Sequence, residues 1–121
     1  MTLTSDVPAS ASVDVGQFLA IDVRAGTVVT AEPFPEARKP ALKLVIDFGP
    51  AIGRKRSSAQ IAEHYAPERL VGRQVVAVVN LPPRRIGSFV SEVLVLGLPD
   101  PAGAVVLLAP DQPVADGARM F

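Results

Sequence analysis

Leu42, Leu44, Ile46 and Phe48 alternate with Lys43, Val45 and Asp47, a period of two that predicts a strand with one face turned to a core. Val45 is the exception, an apolar residue on the outward row. Upstream, Ile21 to Ala31 carries Val23, Thr27, Val28, Val29 and Thr30 and predicts an earlier strand. The segment EPFPEARKP lies between them, and Pro33, Pro35 and Pro40 forbid regular structure there. Gly49, Pro50 and Gly53 predict a turn into a third strand over Arg54 to Ser58. Ser57-Ser58-Ala59-Gln60 has the spacing of a capping box, which predicts a short helix through Ile61 and Ala62 that stops before Pro67. The run VVAVV within Gln74 to Val79 predicts a strand buried on both faces. Asn80 to Arg85, with Pro82 and Pro83, reads as a loop. Ser91 to Leu96 predicts a fifth strand and Ala104 to Leu108 a shorter sixth.

Three strands, a short helix and two further strands is the order of an all-β OB-fold, a small five-stranded Greek-key barrel, here with extra terminal strand segments. An immunoglobulin-like sandwich competes with this reading, but it wants more strands and no helix between the third and fourth. At 121 residues the chain has the length of one domain, and its 49% apolar content is ample for one core. Residues 1–16 are rich in Ser and Ala with two Asp and read as a mobile tail, leaving residues 17–121 as the domain. The tail lacks the basic start and apolar centre of a secretory signal, so a cytoplasmic location is expected. No apolar run reaches the roughly 20 residues of a membrane helix, so membrane insertion is not expected.

Twelve acids balance twelve bases, yet eight of the bases fall in short stretches: Arg38, Lys39 and Lys43; Arg54, Lys55 and Arg56; Arg84 and Arg85. On an OB-fold template the first group lies on the first loop and second strand, the second on strand three, and the last on the loop before strand five. Those elements form the fold's ligand face, so a patch attractive to phosphate or acidic partners is expected there. Arg54 and Arg56 would share one face of their strand while Lys55 points the other way. Charges on loops are also what ordinary solvated surface looks like. Phe34, Ile86 and Phe89 lie in or beside the same loops and either accept side chains of an extended peptide or pack in a core or dimer contact.

Other chemistry finds little support. With no Cys, disulfides and thiolate chemistry are excluded. Aromatics make up 5% of the chain, too few for a row of base-stacking rings. His64 is the only histidine, expected at the end of the short helix as a surface residue rather than a general base. Metalloprotease, hydrolase and phosphate-loop motifs are missing from the sequence, so neither catalysis, metal nor cofactor is expected. The apolar segment VVLLAPDQPV, with Phe18 and Leu19, exceeds what five strands need and predicts a twofold dimer contact.

The segments FLAIDVRAGTVV, EPFPEARKPALKLVIDFG, SSAQIAEHY, VVAVVNLPPRRI, SEVLVLG and LLAPDQPVADGARM carry a family resemblance from Gln17 to Arg119. In order and spacing they resemble the protein-export chaperone branch of the tRNA-binding-domain family. That resemblance implies an OB-fold homodimer binding tRNA-like RNA, and, for the chaperone branch, unfolded precursor polypeptides, with a protein-translocation component as a further partner. Carried over by position, it implies a binding surface of Arg38, Lys39, Lys43, Arg54, Lys55, Arg56, Arg84 and Arg85, with Asn80 opening the last loop. Ser91 and Glu92 stand where many RNA-binding relatives carry Ser followed by Gln. Glu92 repels phosphate at neutral pH, which fits the chaperone branch.

Overall fold

A computed structural model describes residues 2–121. In chain order the elements are α1 (Val15–Ala20), β1 (Val23–Pro33), β2 (Leu42–Asp47), β3 (Arg54–Ala59), α2 (Pro67–Leu70) and β4 (Gln74–Val78). They continue with β5 (Arg84–Ile86), β6 (Phe89–Ser91), β7 (Leu94–Val95), β8 (Gly97–Pro99) and β9 (Val105–Leu107). The main sheet is five-stranded in the order β3-β2-β1-β4-β7, and β5-β6 and β8-β9 form two hairpin ribbons. Among the described residues, no helix is long and apolar enough to cross a membrane.

The long strand β1 serves two partners. Val23 to Thr27 pair with β4, and Thr27 to Pro33 pair with β2. Its register shifts between Val28 and Thr30, a bulge that increases local twist and lets one strand turn a barrel corner. The sheet then curls until the segment after β6 meets β3. The Glu92 N–H donates to the Arg56 carbonyl at 2.8 Å, the Ser57 hydroxyl to the Val93 carbonyl at 3.0 Å, and the Ser58 N–H to Ser91 Oγ at 3.0 Å. The outcome is a nearly closed all-β barrel of OB type, as the sequence order predicts.

The alternation in β2 is borne out: Leu42, Leu44 and Ile46 are buried, followed by Phe48. They pack with Val28, Ile61, Leu70, Val75, Ala77 and Val93 in one core. Each buried Val, Leu, Ile or Phe among them contributes about 1.5–3 kcal/mol by leaving water. Gly26 lies where β1 crosses this layer. A Cβ there would stand 2.7 Å from both Ile46 Cγ2 and Phe48 Cδ1, so only glycine lets the strand approach.

Four local expectations need correction. Ser57 and Ser58 cap no helix; they continue β3, and the helix starts at Pro67 instead of stopping before it. Strand pairing from Leu42↔Ala59 to Asp47↔Arg54 satisfies the backbone along the whole segment, and Ser57, 1% exposed, uses its hydroxyl on Val93. Proline suits the first turn of a helix because its missing N–H would have no partner there. The capping box of this chain belongs to α1: Gln17 N–H donates to Asp14 at 2.7 Å, and Asp14 N–H to Gln17 Oε1 at 2.9 Å. That helix begins inside the segment expected to be tail. The expected loop through Arg85 ends earlier, since Arg84 and Arg85 belong to β5. Finally, the fifth strand is split, with Glu92 and Val93 separating β6 from β7 so that they can reach β3.

The last residues return along β1. Ala25 N–H donates to the Ala118 carbonyl and Met120 N–H to that of Val23, at 2.9 and 2.8 Å. Asp22 pins this strap, receiving Arg24 Nε at 2.6 Å and lying 3.4 Å from Arg119 Nε. The Arg24 hydrogen bond holds the Asp22 carboxyl below its ordinary value of 3.8, opposed by partial desolvation and aided by the charges of both arginines.

Two outcomes are expected in urea unfolding. Gly26→Ala destabilises the barrel by about 1–3 kcal/mol, because the new methyl displaces Ile46 and Phe48. Asp22→Asn destabilises it near neutral pH. A carboxylate whose folded pKa is depressed stabilises above its unfolded value and loses that contribution as pH falls through the folded value. The gap between wild type and Asp22→Asn therefore closes as pH drops below 3.8.

Candidate nucleic-acid and polypeptide interface

Antiparallel pairing decides which charges share a face. Lys43 lies opposite Ser58, Val45 opposite Arg56 and Asp47 opposite Arg54, so these side chains form the outer face of β2 and β3. Lys55 pairs with Ile46 on the inward row, at the barrel's end, apart from Arg54 and Arg56 as the alternation predicts. The outer face is not the uniformly positive surface expected from the sequence. Lys43 Nζ lies 3.5 Å from Glu32, Arg54 Nε 3.9 Å from Asp47 and Arg56 Nε 3.4 Å from Glu92. Each cation on this outer face has an acidic neighbour, and all three pairs are partly exposed. Such pairs are worth little in stability but cancel charge locally.

Glu92 is held firmly. Its carboxylate also accepts the Arg56 backbone N–H at 3.0 Å, while its own N–H donates to the Arg56 carbonyl at 2.8 Å. Beside this link, Phe34 from the β1–β2 connection meets Phe89 from β6, with ring centroids 5.4 Å apart and planes tilted by 59°. Lys43 Nζ stands 5.3 and 5.9 Å from those two centroids, and Arg56 Cζ stands 5.7 Å from that of Phe89. Cations over ring faces gain about 0.5–2 kcal/mol, more as water is excluded. Phe34 is only 5% exposed and serves as the floor of this cluster; Phe89 is half-buried above it.

The β5–β6 ribbon carries the last basic pair. Arg84 lies opposite Ser91 and Ile86 opposite Phe89, on one face; Arg85, opposite Val90, takes the other. Arg84, Ile86, Ser91 and Glu92 line a small hollow of about 170 Å³ with Ser58 and Leu81. Arg38 and Lys39 lie elsewhere, on the rim of a larger groove of about 680 Å³ between the β1–β2 connection and residues 62–67. Among the described residues Arg38, Lys39, Lys55, Arg84 and Arg85 have no acidic partner within 4 Å. Apart from Lys55 on the inward row of β3, these unpaired charges sit on a connection and a ribbon beside a neutralised strand face.

Other expected site residues have internal tasks. Asn80 accepts the Asp22 N–H at 2.9 Å and donates to the Ala20 carbonyl at 2.8 Å, joining the end of β4 to the start of β1. Ser91 spends its hydroxyl oxygen on Ser58. His64 lies in a turn after β3, not on a helix, with Nε2 2.6 Å from Asp100. That hydrogen bond, with the Ala102 and Ala104 N–H groups, holds Asp100 below its usual carboxylate value. Sequence reasoning missed the groove walls of Ala37 and Ala62 to Pro67; the proline spacing was the one available signal, and it gave no pairing. Among the described residues no group of three or more His, Cys, Asp or Glu is placed to hold a metal ion.

Known proteins share this fold. A methionine–tRNA ligase of Porphyromonas gingivalis is 38% identical over 113 residues, which span 93% of this chain and 16% of the ligase. The chain thus covers only a small part of the curated relatives it matches. The solved structure of chaperone CsaA from Bacillus anthracis is 52% identical with a TM-score of 0.86, covering 92% of this chain and 100% of that one. The CsaA chaperone protein from Picrophilus torridus follows at 44% and 0.84, covering 91% and 100%. Residues 23–119 match the family described as "Putative tRNA binding domain", from the first buried residue of β1 to the arginine that bonds the C-terminal strap to Asp22. The chain belongs to the tRNA-binding-domain family.

Proposed function

We propose that this chain works as a homodimeric binding module, without catalysis or cofactor, that holds unfolded precursor polypeptides for export from the cytoplasm and also binds tRNA or tRNA-like RNA. The observation that carries this reading is the Phe34–Phe89 pair beneath Lys43 and Arg56, flanked by the unpaired Arg84. Apolar surface and cation lie side by side there, which suits partners that present both greasy and anionic groups. Likeness to two chaperone structures supports the polypeptide role, and the family match supports the RNA role. Exposed apolar side chains on α1 (Phe18, Leu19) and on β8–β9 (Leu98, Val106) support a dimer contact. A free-standing tRNA-binding protein is the second reading, favoured by Arg84 and Arg85, which no acid neutralises.

RNA binding would be electrostatic and structure-specific. If about four cations meet phosphates on a single strand, log affinity falls against log salt with slope near −3. Arg84→Glu with Arg85→Glu is expected to weaken tRNA binding about tenfold or more and to flatten that slope, read by titration at two salt concentrations. An unchanged slope would remove the ribbon from the RNA face. Glu92→Gln keeps an acceptor for the Arg56 N–H but releases its charge, and is expected to raise tRNA affinity about two- to fivefold. The same titration measures it.

A further inference from the structure

Glu92 has more acceptor capacity than the barrel uses. Its carboxylate receives the Arg56 N–H at 3.0 Å and Arg56 Nε at 3.4 Å, both on Oε1, and among the described residues Oε2 accepts nothing. An ionised carboxylate offers about four acceptor positions, so part of this one is unused. The neighbouring Ser91 hydroxyl oxygen accepts the Ser58 N–H at 3.0 Å, which leaves its own proton to donate. Both residues line the hollow of about 170 Å³ at the β5–β6 ribbon, where Leu81, Pro82, Ile86 and Leu94 supply apolar surface and Arg84 a cation. That space is smaller than the about 300–1,000 Å³ of drug-sized sites and suits one flat ring system.

We infer that this hollow reads one unpaired guanine of an RNA strand, with Glu92 as the residue that sets the preference. The inference rests on the RNA half of the function proposed above and names the base that its face selects. Guanine's Watson–Crick edge carries one acceptor, O6, beside two donors, N1–H and N2–H. The two donors match the carboxylate of Glu92, and a carboxylate meeting two N–H groups makes a bidentate, charge-assisted pair. The Ser91 hydroxyl, next in the chain, is the donor for O6. Other bases lack this complement. Uracil flanks its single N3–H with two carbonyl oxygens, which a carboxylate repels. Adenine and cytosine each set a ring-nitrogen acceptor beside their amino group, so one carboxylate oxygen would face a lone pair.

A carboxylate on an RNA face weakens binding through its charge, and two neighbours offset that here. Arg56 Nε, 3.4 Å away, balances Glu92 locally. Arg84 has no acidic partner within 4 Å among the described residues, shares the hollow, and can take the phosphate of the same nucleotide. Leu81 and Leu94 are 46% and 49% exposed, apolar surface that the barrel leaves open and that the faces of a base can cover. The acceptor is also preset. The Glu92 N–H donates to the Arg56 carbonyl at 2.8 Å while its side chain takes the Arg56 N–H, so little ordering remains to be done on binding. In a duplex guanine turns this same edge to cytosine. The site therefore reads unpaired guanine and leaves paired RNA to the surrounding charge.

The test uses the full chain and short labelled oligouridylate strands, either plain or with one central guanosine or inosine. Anisotropy at fixed salt is expected to show the guanosine strand binding about tenfold more tightly than the plain one. Inosine, which lacks the 2-amino group, falls between them. Glu92→Gln keeps an acceptor for the Arg56 N–H but sets an amide NH2 against the donors of guanine, so the guanosine preference drops to about onefold while affinity for plain oligouridylate rises. A variant that merely failed to fold would lose both strands. Arg84→Ala removes a phosphate contact, weakening both strands and preserving their ratio. Equal affinity of the wild type for guanosine and plain strands, or a preference that survives Glu92→Gln, overturns the inference and leaves the hollow to an apolar side chain of a polypeptide. GMP binding as tightly as the guanosine strand overturns it too, in favour of a free nucleotide. If tRNA binds while the strands show no preference or no binding, only the base assignment fails. If neither tRNA nor strands bind, the RNA reading fails with it.

Discussion

Hydrogen bonds between residues 91–93 and β3 close the barrel, and the chemistry of the surface follows from that closure. The Ser57 hydroxyl is the critical member, because it is the buried polar side chain of the core. Left without the Val93 carbonyl it would carry a desolvation penalty of about 1–3 kcal/mol. The neighbouring exchange between Glu92 and Arg56 is reciprocal, each backbone N–H finding an acceptor on the other residue. The bond pattern that joins the sheet's ends therefore also decides that an acid stands beside the central arginine. On this barrel the charge of the strand face cannot be separated from the way the barrel shuts.

That coupling explains how a chain of zero net charge can hold a selective positive rim. Lys43, Arg54 and Arg56 each face an acid across β2, β1 or the closing segment, so the middle of the surface has little field of its own. Arg84, Arg85, Arg38 and Lys39 lie outside the paired rows, on a ribbon and a proline-stiffened connection. Exposed charges act over a Debye length of about 8 Å at physiological salt. Groups farther apart than that do not sum into one field.

Much of the barrel was legible in the sequence because its signals are periodic. The Leu42-to-Phe48 alternation and the apolar run after Gln74 each state a strand and a buried face within a few residues. The failures came where a local signal competed with a distant partner. Ser57 to Gln60 fits a helix cap by spacing, yet pairing with β2 and the carbonyl of Val93 lies outside any local window. Pro67 reads as a stop and acts as a start, since a proline punctuates in both senses. For the site, clustering along the chain showed where the cations gather but not their partners. Glu32 comes from β1, Asp47 from β2 and Glu92 from the link between β6 and β7, and only the register brings them beside Lys43, Arg54 and Arg56.

Phe34 joins what the charges keep apart. It lines the groove on one side and stacks against Phe89 on the other, with Lys43 over both rings. The groove and the basic face thus share a packed floor residue while sharing no rim cation. Close-packed aromatics transmit displacement because they have no free volume to absorb it. A displacement at the groove floor and one at Lys43 would both act on the same buried ring. One buried side chain thus supports two surfaces within a single small domain.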